Sequence, residues 1–138
     1  MPARDTFHDA VKAALIKEGW AITHDPLQIK TSEVDMSVDL GAERLLAAAK
    51  GSEKIAVEIK SFLALSLIYE FYNALGQFLS YKIALETQEP DRVLFLAVPE
   101  EAYDSFFKLS FTQVAIERYE LKLVVYDPIR EELVKWIK

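Results

Sequence analysis

The sequence contains no cysteine among its 138 residues. This absence excludes disulfide bonds, thiolate metal sites and a cysteine nucleophile, and it fits a protein of a reducing compartment. Histidine is almost as scarce, since only His8 and His24 occur, well separated along the chain. With no thiolate and so few imidazoles, a zinc site is not expected.

No apolar run reaches the roughly 18 residues that a transmembrane helix needs, so we expect no membrane segment. The first ten residues, MPARDTFHDA, lack the apolar stretch of a secretory signal peptide. These absences make the cytoplasm the expected location. Internal repeats, low-complexity tracts and Gly/Ser linkers are missing as well, so residues 1–138 are expected to form one domain.

The chain also lacks a basic run. Its 16 lysines and arginines are scattered and are outnumbered by 22 aspartates and glutamates, which gives a formal net charge of −6. A protein that grips DNA mainly through phosphates usually carries a basic face, so we expect weak nonspecific DNA affinity without a partner or a metal. The acidic surplus suits a divalent-cation site, since hard cations need carboxylate oxygens, or simply a well-solvated surface.

Hydrophobic periodicity predicts an α/β chain. An apolar stripe at a spacing near 3.6 predicts a helix over residues 3–18, ended by Gly19, and a short strand over residues 20–23 precedes a turn at 24–26. The same reasoning predicts a two-stranded hairpin, a long amphipathic helix, a buried strand, a helix with a break near Leu109-Ser110, a strand and an edge strand, at residues 43–49, 54–62, 65–87, 93–98, 100–118, 121–126 and 133–137. Helices alternating with buried strands predict a mixed central sheet flanked by helices on both faces.

The predicted hairpin carries the residues that could bind a metal or take part in catalysis. Glu58 and Lys60 are two residues apart on one apolar strand, so they project from the same face of the sheet. Gly51-Ser52 fits the centre of a tight turn, and with that turn Glu43 lies opposite Lys60 on the same face. A slip of one residue would move Glu43 to the other face, whereas a slip of two would place it opposite Glu58.

A second acid, Asp39, also shares that face. In the register set by a Gly51-Ser52 turn it lies six residues from the point opposite Glu58, roughly 20 Å along a straight strand. It can join the cluster only if the chain bends, and Gly41 is the place for a bend. Glu43 and Asp39 therefore both remain candidates for the first metal ligand.

Such a cluster suits metal-assisted phosphodiester hydrolysis. Two carboxylates can hold Mg²⁺ or Mn²⁺, the metal lowers the pKa of a bound water, and Lys60 can orient that water or stabilise developing negative charge. Glu58, Lys60 and Gln77 are the predicted catalytic residues. The plainer alternative is a cross-strand ion pair between Glu43 and Lys60, with Glu58 solvated.

The long predicted helix adds a polar stripe that includes Gln77 and Tyr81, four residues apart on one face. A helix that follows the E-x-K strand can bring Gln77 to the site, although a solvated helix face explains the stripe equally well. His8 lies beside the apolar stripe of the first helix, where it could reach a metal or phosphate or simply be a surface or half-buried histidine. No motif indicates a small-molecule hydrolase.

Several long stretches of the chain resemble the XisH family, the fdxN element excision controlling factors, and through it the restriction-endonuclease-like PD-(D/E)xK superfamily. These stretches are THDP at 23–26, DLGAER at 39–44, IAVEIKSF at 55–62, ALGQFLSY at 74–81 and EPDRVLFLAVP at 89–99. By position, the resemblance assigns the E-x-K to Glu58 and Lys60, the preceding acid to Asp39 or Glu43, and the helix motif to Gln77 with Tyr81. Val38 stands where the superfamily has proline before the acid.

The resemblance implies a restriction-endonuclease-like core and a role in programmed, site-specific DNA excision, with a XisI-type protein as partner and a separate recombinase performing the excision. The sequence thus favours an Mg²⁺-dependent DNA endonuclease-like factor that controls excision. The alternative is a non-catalytic control protein that acts by binding the XisI-type partner. If the protein is an endonuclease, cleavage of both DNA strands would need two active sites, so a homodimer is also expected.

Overall fold

The computed structural model describes residues 5–45 and 52–138. In chain order, these residues form α1 (His8–Lys17), β1 (Ala21–His24), β2 (Leu27–Lys30), β3 (Asp35–Val38), β4 (Leu40–Leu45), β5 (Ser52–Ile59), α2 (Leu67–Gln88), β6 (Arg92–Pro99), α3 (Glu100–Asp104), a 3-10 helix (Phe106–Lys108), α4 (Ser110–Arg118), β7 (Leu123–Asp127) and β8 (Glu132–Ile137). Within this part of the chain, no helix has the length and apolar character needed to cross a membrane.

The strands build one mixed sheet and one small hairpin. The sheet has six strands in the order β1-β4-β5-β6-β7-β8. Its central strands β5, β6 and β7 are parallel, and β1, β4 and β8 pair antiparallel with their neighbours. Strands β2 and β3 form a separate antiparallel hairpin that interrupts the chain between β1 and β4.

Helices cover both faces of this sheet. Val11 and Leu15 of α1 pack on one face in a buried cluster with β-strand residues such as Val57. Phe71 and Phe78 of α2 belong to a second buried cluster on the other face, which α3, the 3-10 helix and α4 extend. The predicted α/β fold with a mixed sheet and helices on both faces is therefore confirmed.

The first helix is shorter than predicted. It begins at His8 because the side chain of Asp5 accepts a hydrogen bond from the backbone N–H of Phe7, at 2.9 Å, and so forms a turn before the helix. It ends as predicted at Gly19, whose φ of 91° is left-handed. The N–H groups of Gly19 and Trp20 bond the carbonyls of Ile16 and Leu15, a Schellman ending that satisfies the last turn.

The predicted hairpin register is wrong. Ser52 is the first residue of β5 and pairs with Leu45, so it cannot form the centre of a turn. The observed register places Leu40 opposite Val57 and Glu43 opposite Lys54, and β4 begins at Leu40 rather than at residue 43. The shift is an even number of residues, so the pattern of inward and outward side chains is the same in both registers and could not reveal the error. Residues 46–51 lie outside the described part of the chain.

The remaining predictions agree with the structure in type and differ at their ends. Strand β1, the long helix α2, the buried strand β6 and the edge strand β8 are confirmed. The predicted helix over 100–118 is broken, as expected near Leu109, but also at Ser105, so it forms three short segments. Strand β7 begins two residues later than predicted. The short strands β2 and β3 were not predicted, since four residues give too few alternations to distinguish a strand from a loop.

Arg92, the first residue of β6, is buried and forms hydrogen bonds to Ile55 of β5 and to Glu89 just before β6. The Arg92 side chain is only 2% exposed. Its Nη1 donates to the carbonyl of Ile55 at 2.9 Å, and its Nε and Nη2 donate to Glu89 Oε1 at 3.1 and 3.0 Å. We expect Arg92→Met to lower the free energy of unfolding by about 3 kcal/mol, because it leaves a buried carbonyl and a carboxylate without their donor.

Urea denaturation of Arg92→Met should be compared with that of Lys54→Met. Lys54 forms an exposed ion pair with Asp91 at 3.6 Å, in which the aspartate is 69% exposed. Such pairs contribute little to stability, so the control should change the free energy of unfolding by less than about 1 kcal/mol. Equal losses in the two variants would contradict the structural role of Arg92.

Candidate functional site

Two carboxylates meet where β4 begins and β5 ends. Asp39 directly precedes β4 and, in the observed register, lies opposite Glu58. The backbone N–H of Asp39 donates to Glu58 Oε1 at 3.3 Å, and the backbone N–H of Ile59 donates to Asp39 Oδ2 at 2.7 Å. Each acid is thus held by a main-chain N–H of the other strand, and both side chains are fixed on the same face of the sheet.

Glu58 occupies an unfavourable position for a charge. The residue is only 5% exposed. Its burial, and secondarily the neighbouring charge of Asp39, raise the pKa of Glu58 to about 8, against the opposing effect of the Lys60 ammonium. Two carboxylates held this close in a buried place create a strong preference for a cation or a proton between them.

Lys60 supplies the ammonium at this end of β5. Its Nζ lies 3.6 Å from Glu58 Oε2, and its side chain is 17% exposed. The main chain at Lys60 is fixed on both sides, because its N–H donates to the carbonyl of Ala97 at 3.0 Å and its carbonyl accepts from the Tyr126 hydroxyl at 3.0 Å. The ammonium is therefore presented to Glu58 from a rigid backbone.

Helix α2 brings Tyr81 to the same place. Burial, followed by the negative charges of Glu58 and Asp39, raises the pKa of Tyr81 to about 12. The phenol hence stays protonated at neutral pH and keeps its O–H as a donor near the carboxylates. Gln77 lies one turn earlier on α2, and its Oε1 is buried without a hydrogen-bond partner among the described residues. This amide oxygen is available as an additional ligand or water-binding group.

Glu43 does not join this cluster. It is four residues from the point opposite Glu58, roughly 13 Å along the strand. Its carboxylate instead lies 3.9 Å from the Arg92 guanidinium. The predicted proximity of Glu43 to Glu58 and Lys60 is therefore wrong, because it depended on the incorrect hairpin register. The structure brings Asp39 to Glu58 without the bend expected at Gly41, since the six-residue shift places the two acids directly opposite each other.

His8 lies in a different environment. It is buried, at 3% exposure, and its Nε2 lies 2.8 Å from Asp25 Oδ1. The other oxygen of Asp25 accepts from Lys12 Nζ at 2.8 Å. His8 is thus neither a surface nor a half-buried residue, and its place is an ion-pair network between α1 and the turn after β1.

Two acids that hold the loop after Lys60 were not predicted as site residues. Asp5 Oδ2 accepts from the N–H of Ser61 at 3.0 Å, and Glu70 Oε1 accepts from the N–H of Phe62 at 2.9 Å. Glu70 belongs to the polar stripe of the long helix, so a signal for it existed in the sequence. Asp5 gave no signal, because its partner is 56 residues away.

The donor set fits a hard divalent cation in part. Over residues 5–45 and 52–138, no group of three or more histidine, aspartate or glutamate side chains converges as a metal site. Two carboxylates do converge, and Mg²⁺ commonly binds proteins through only one or two carboxylates and keeps several waters. The orphaned oxygen of Gln77, one turn before Tyr81 on α2, is a further neutral ligand candidate. The residues present are therefore compatible with Mg²⁺ or Mn²⁺ and unsuited to zinc.

Comparison with known proteins identifies the family. The family model described as XisH protein matches residues 1–134. The chain belongs to the XisH family. A crystal structure of an XisH family protein from Nostoc punctiforme is 46% identical, has a TM-score of 0.89, and covers 97% of this chain and 100% of its own. Among curated proteins, none matches this sequence.

A second XisH relative of known structure is a fdxN element excision controlling factor protein from Anabaena variabilis. It is also 46% identical, with a TM-score of 0.88, and the match covers 98% of this chain and 100% of the relative. At this identity and coverage the two crystal structures support the whole sheet order and both helical layers of this XisH chain.

Proposed function

We propose that this XisH chain is a factor that controls programmed, site-specific DNA excision and that it carries a divalent-cation site for phosphodiester hydrolysis. The excision role follows its Anabaena variabilis relative, which is a fdxN element excision controlling factor. One observation carries the hydrolytic part: Asp39 and Glu58 face each other across two strands, with the Lys60 ammonium 3.6 Å from Glu58. We also propose that this chain is related to the restriction-endonuclease-like enzymes.

Each residue of the cluster has a role in this proposal. Asp39 and Glu58 would hold Mg²⁺ or Mn²⁺, which when bound acidifies a coordinated water and offsets charge on the phosphate. Lys60 would hold the attacking water or stabilise the negative charge of the transition state. The Tyr81 hydroxyl and the Gln77 amide would fix the carboxylates and the surrounding water by hydrogen bonds. The cation also explains why two acids occupy a buried site together.

Calorimetric titration with MnCl₂ and MgCl₂ tests the cation site. We expect binding to the wild-type chain, and a weakening of at least about tenfold in Asp39→Asn and in Glu58→Gln, since each removes one of two anionic ligands. Glu43→Gln removes the same charge roughly 13 Å away and should leave the affinity within about twofold. Equal weakening by all three variants would indicate a general charge effect and would refute this assignment.

A second candidate function is non-catalytic control through a XisI-type protein partner. The net charge of −6 and the scattered lysines and arginines favour it, because neither provides a basic face for DNA. Pull-down of a XisI-type protein by the wild type and by Glu58→Gln separates the two. If Glu58→Gln still binds the partner and the wild type shows no metal-dependent nicking of DNA, the result would favour non-catalytic control over hydrolysis.

A further inference from the structure

A group of exposed apolar side chains begins in the loop that follows Lys60. It consists of six side chains from the loop after Lys60, the first turns of α2 and the beginning of α4. We call it the apolar patch, and its members, with their exposed fractions, are Leu63 (63%), Leu65 (109%), Tyr69 (71%), Tyr72 (53%), Leu109 (53%) and Phe111 (57%).

Ring contacts show that the parts of the patch adjoin one another. The rings of Tyr69 and Tyr72 lie 5.7 Å apart in an edge-to-face arrangement. The ring of Phe111 on α4 lies 6.3 Å from that of Phe71 on α2. The beginnings of the two helices are therefore neighbours, which brings their exposed apolar side chains to the same region of the molecule.

The area of the patch matches one side of a stable protein interface. The six fractions are equivalent to about four fully exposed large side chains, which at roughly 200 Å² each expose on the order of 800 Å². A standard interface buries about that area on each partner. The largest apolar patch on a typical monomer is smaller, at roughly 300–600 Å².

None of the six patch residues is charged, and this neutrality points to what covers the patch. Lys108, which precedes Leu109, has its ammonium 4.5 Å from the centre of the Tyr103 ring. The acidic residue in the first turn of α2 is Glu70, and its carboxylate is turned inward, onto the N–H groups of Phe62 and Ala64 at 2.9 and 3.2 Å. Across a twofold axis a patch meets its own copy, so a patch with a net charge of one sign would be repelled by that copy. For a chain of net charge −6, an uncharged patch is the kind of surface on which two copies can meet without repulsion.

We propose that the apolar patch is the interface of a twofold-symmetric homodimer of this chain. The patch begins three residues after Lys60, and Asp5 and Glu70 hold the intervening loop through its backbone. The dimer therefore brings the loops that follow Lys60 in the two copies to one interface. The proposal does not depend on metal binding or cleavage at Asp39 and Glu58, because it rests on the area and neutrality of the patch.

Sedimentation velocity of the full chain at tens of micromolar tests this proposal. We expect the wild type to sediment as a species with twice the 15.7 kDa mass of one chain. Leu65→Glu should raise the dimer dissociation constant by at least about 30-fold, because each interface receives two new charges in a dry apolar contact. Leu65 is fully exposed and precedes α2, so circular dichroism should show an unchanged fold.

Ile129→Glu is the matched control. Ile129 is also exposed, at 92%, but it belongs to the turn between β7 and β8 and not to the loop or the helices that carry the patch. This variant should remain a dimer like the wild type. A wild type that is monomeric throughout this range, or a dimer that Leu65→Glu leaves intact, would overturn the proposal. A monomer that binds a different protein or single-stranded DNA through the patch would likewise refute it.

Discussion

Glu58→Gln is expected to make the metal-free protein more stable, by about 4 kcal/mol at pH 8. The wild-type carboxyl must either remain protonated at an unfavourable pH or carry a buried charge beside Asp39, because its pKa is raised to about 8. A glutamine avoids both costs. Its oxygen can still accept from the Asp39 N–H, and its NH₂ group can donate to the Asp39 carboxylate, whereas two ionised acids repel each other.

The two pKa values of Glu58 determine how the stability of the wild type changes with pH. In the unfolded chain Glu58 ionises near its ordinary pKa of 4.5, whereas in the folded chain it ionises only near 8. The unfolded state therefore binds fewer protons between these values, and the wild type loses stability as the pH rises through this window. Below pH 4.5 both states hold the proton, so the advantage of Glu58→Gln should vanish there.

Urea denaturation in the presence of EDTA at pH 4.5, 6 and 8 measures this difference. Glu43→Gln is the control, since Glu43 is 35% exposed and lies beside Arg92 rather than beside a second acid. It should not gain stability at any of the three pH values. A difference between wild type and Glu58→Gln that stays constant from pH 4.5 to 8 would show that the buried carboxyl titrates normally.

Lys60→Met is expected to lower metal-dependent nicking of plasmid DNA by at least about 100-fold. Methionine keeps much of the length of the lysine side chain but removes the ammonium that lies 3.6 Å from Glu58. In the proposed mechanism this charge acts on the water or the phosphate at the transition state, so its loss should lower the rate rather than weaken the binding of Mn²⁺. Removing a competing cation should leave Mn²⁺ affinity unchanged or slightly higher.

Nicking rates and Mn²⁺ affinities should be measured on the same preparations, with Lys54→Met as the control. Lys54 lies on the same strand, but its ammonium pairs with the exposed Asp91 at the far end of β5. The control should retain wild-type activity. If Lys60→Met nicks DNA as fast as the wild type, the lysine has no catalytic part, and if it fails to bind Mn²⁺, the loss of activity has another cause.

The acidic part of the site shows how far the sequence could be interpreted. Glu58 and Lys60 could be identified because a carboxylate and an ammonium interrupt an otherwise apolar strand. The choice between Asp39 and Glu43 could not be made, because both fit the two-residue period of the strand. That choice depended on the hairpin register, and the Gly51-Ser52 signal predicted a register shifted by six residues from the observed one.

Long-range contacts decided the register instead. Strand β1 pairs with β4 so that His24 lies opposite Gly41. A Cβ atom at Gly41 would lie 3.0 Å from His24 Nδ1 and 3.3 Å from Arg92 Nη1, so a larger residue here would have to displace these side chains. Neither contact can be deduced from local sequence, since Arg92 is 51 residues away from Gly41 along the chain.

The helical part of the site was easier to predict. The stripe that contains Gln77 and Tyr81 has the spacing of one helix face, and α2 spans the predicted region almost residue for residue. A parallel connection from β5 to β6 must carry its helix over the sheet, which brings Tyr81 within the influence of Glu58 and Asp39. The buried, unpartnered state of the Gln77 oxygen could not be foreseen, because it depends on packing rather than on periodicity.

The β2–β3 hairpin is an arm of the chain that lies outside the main sheet. Its two ends are anchored, since β1 before it and β4 after it pair directly with each other. Its tip, at Thr31 and Ser32, lies beside the second half of α2 and helps to line a groove there with Ser80 and Thr87. Changing the side chains at this tip would therefore alter the groove, while the pairing of β1 with β4 holds the chain on both sides of the hairpin.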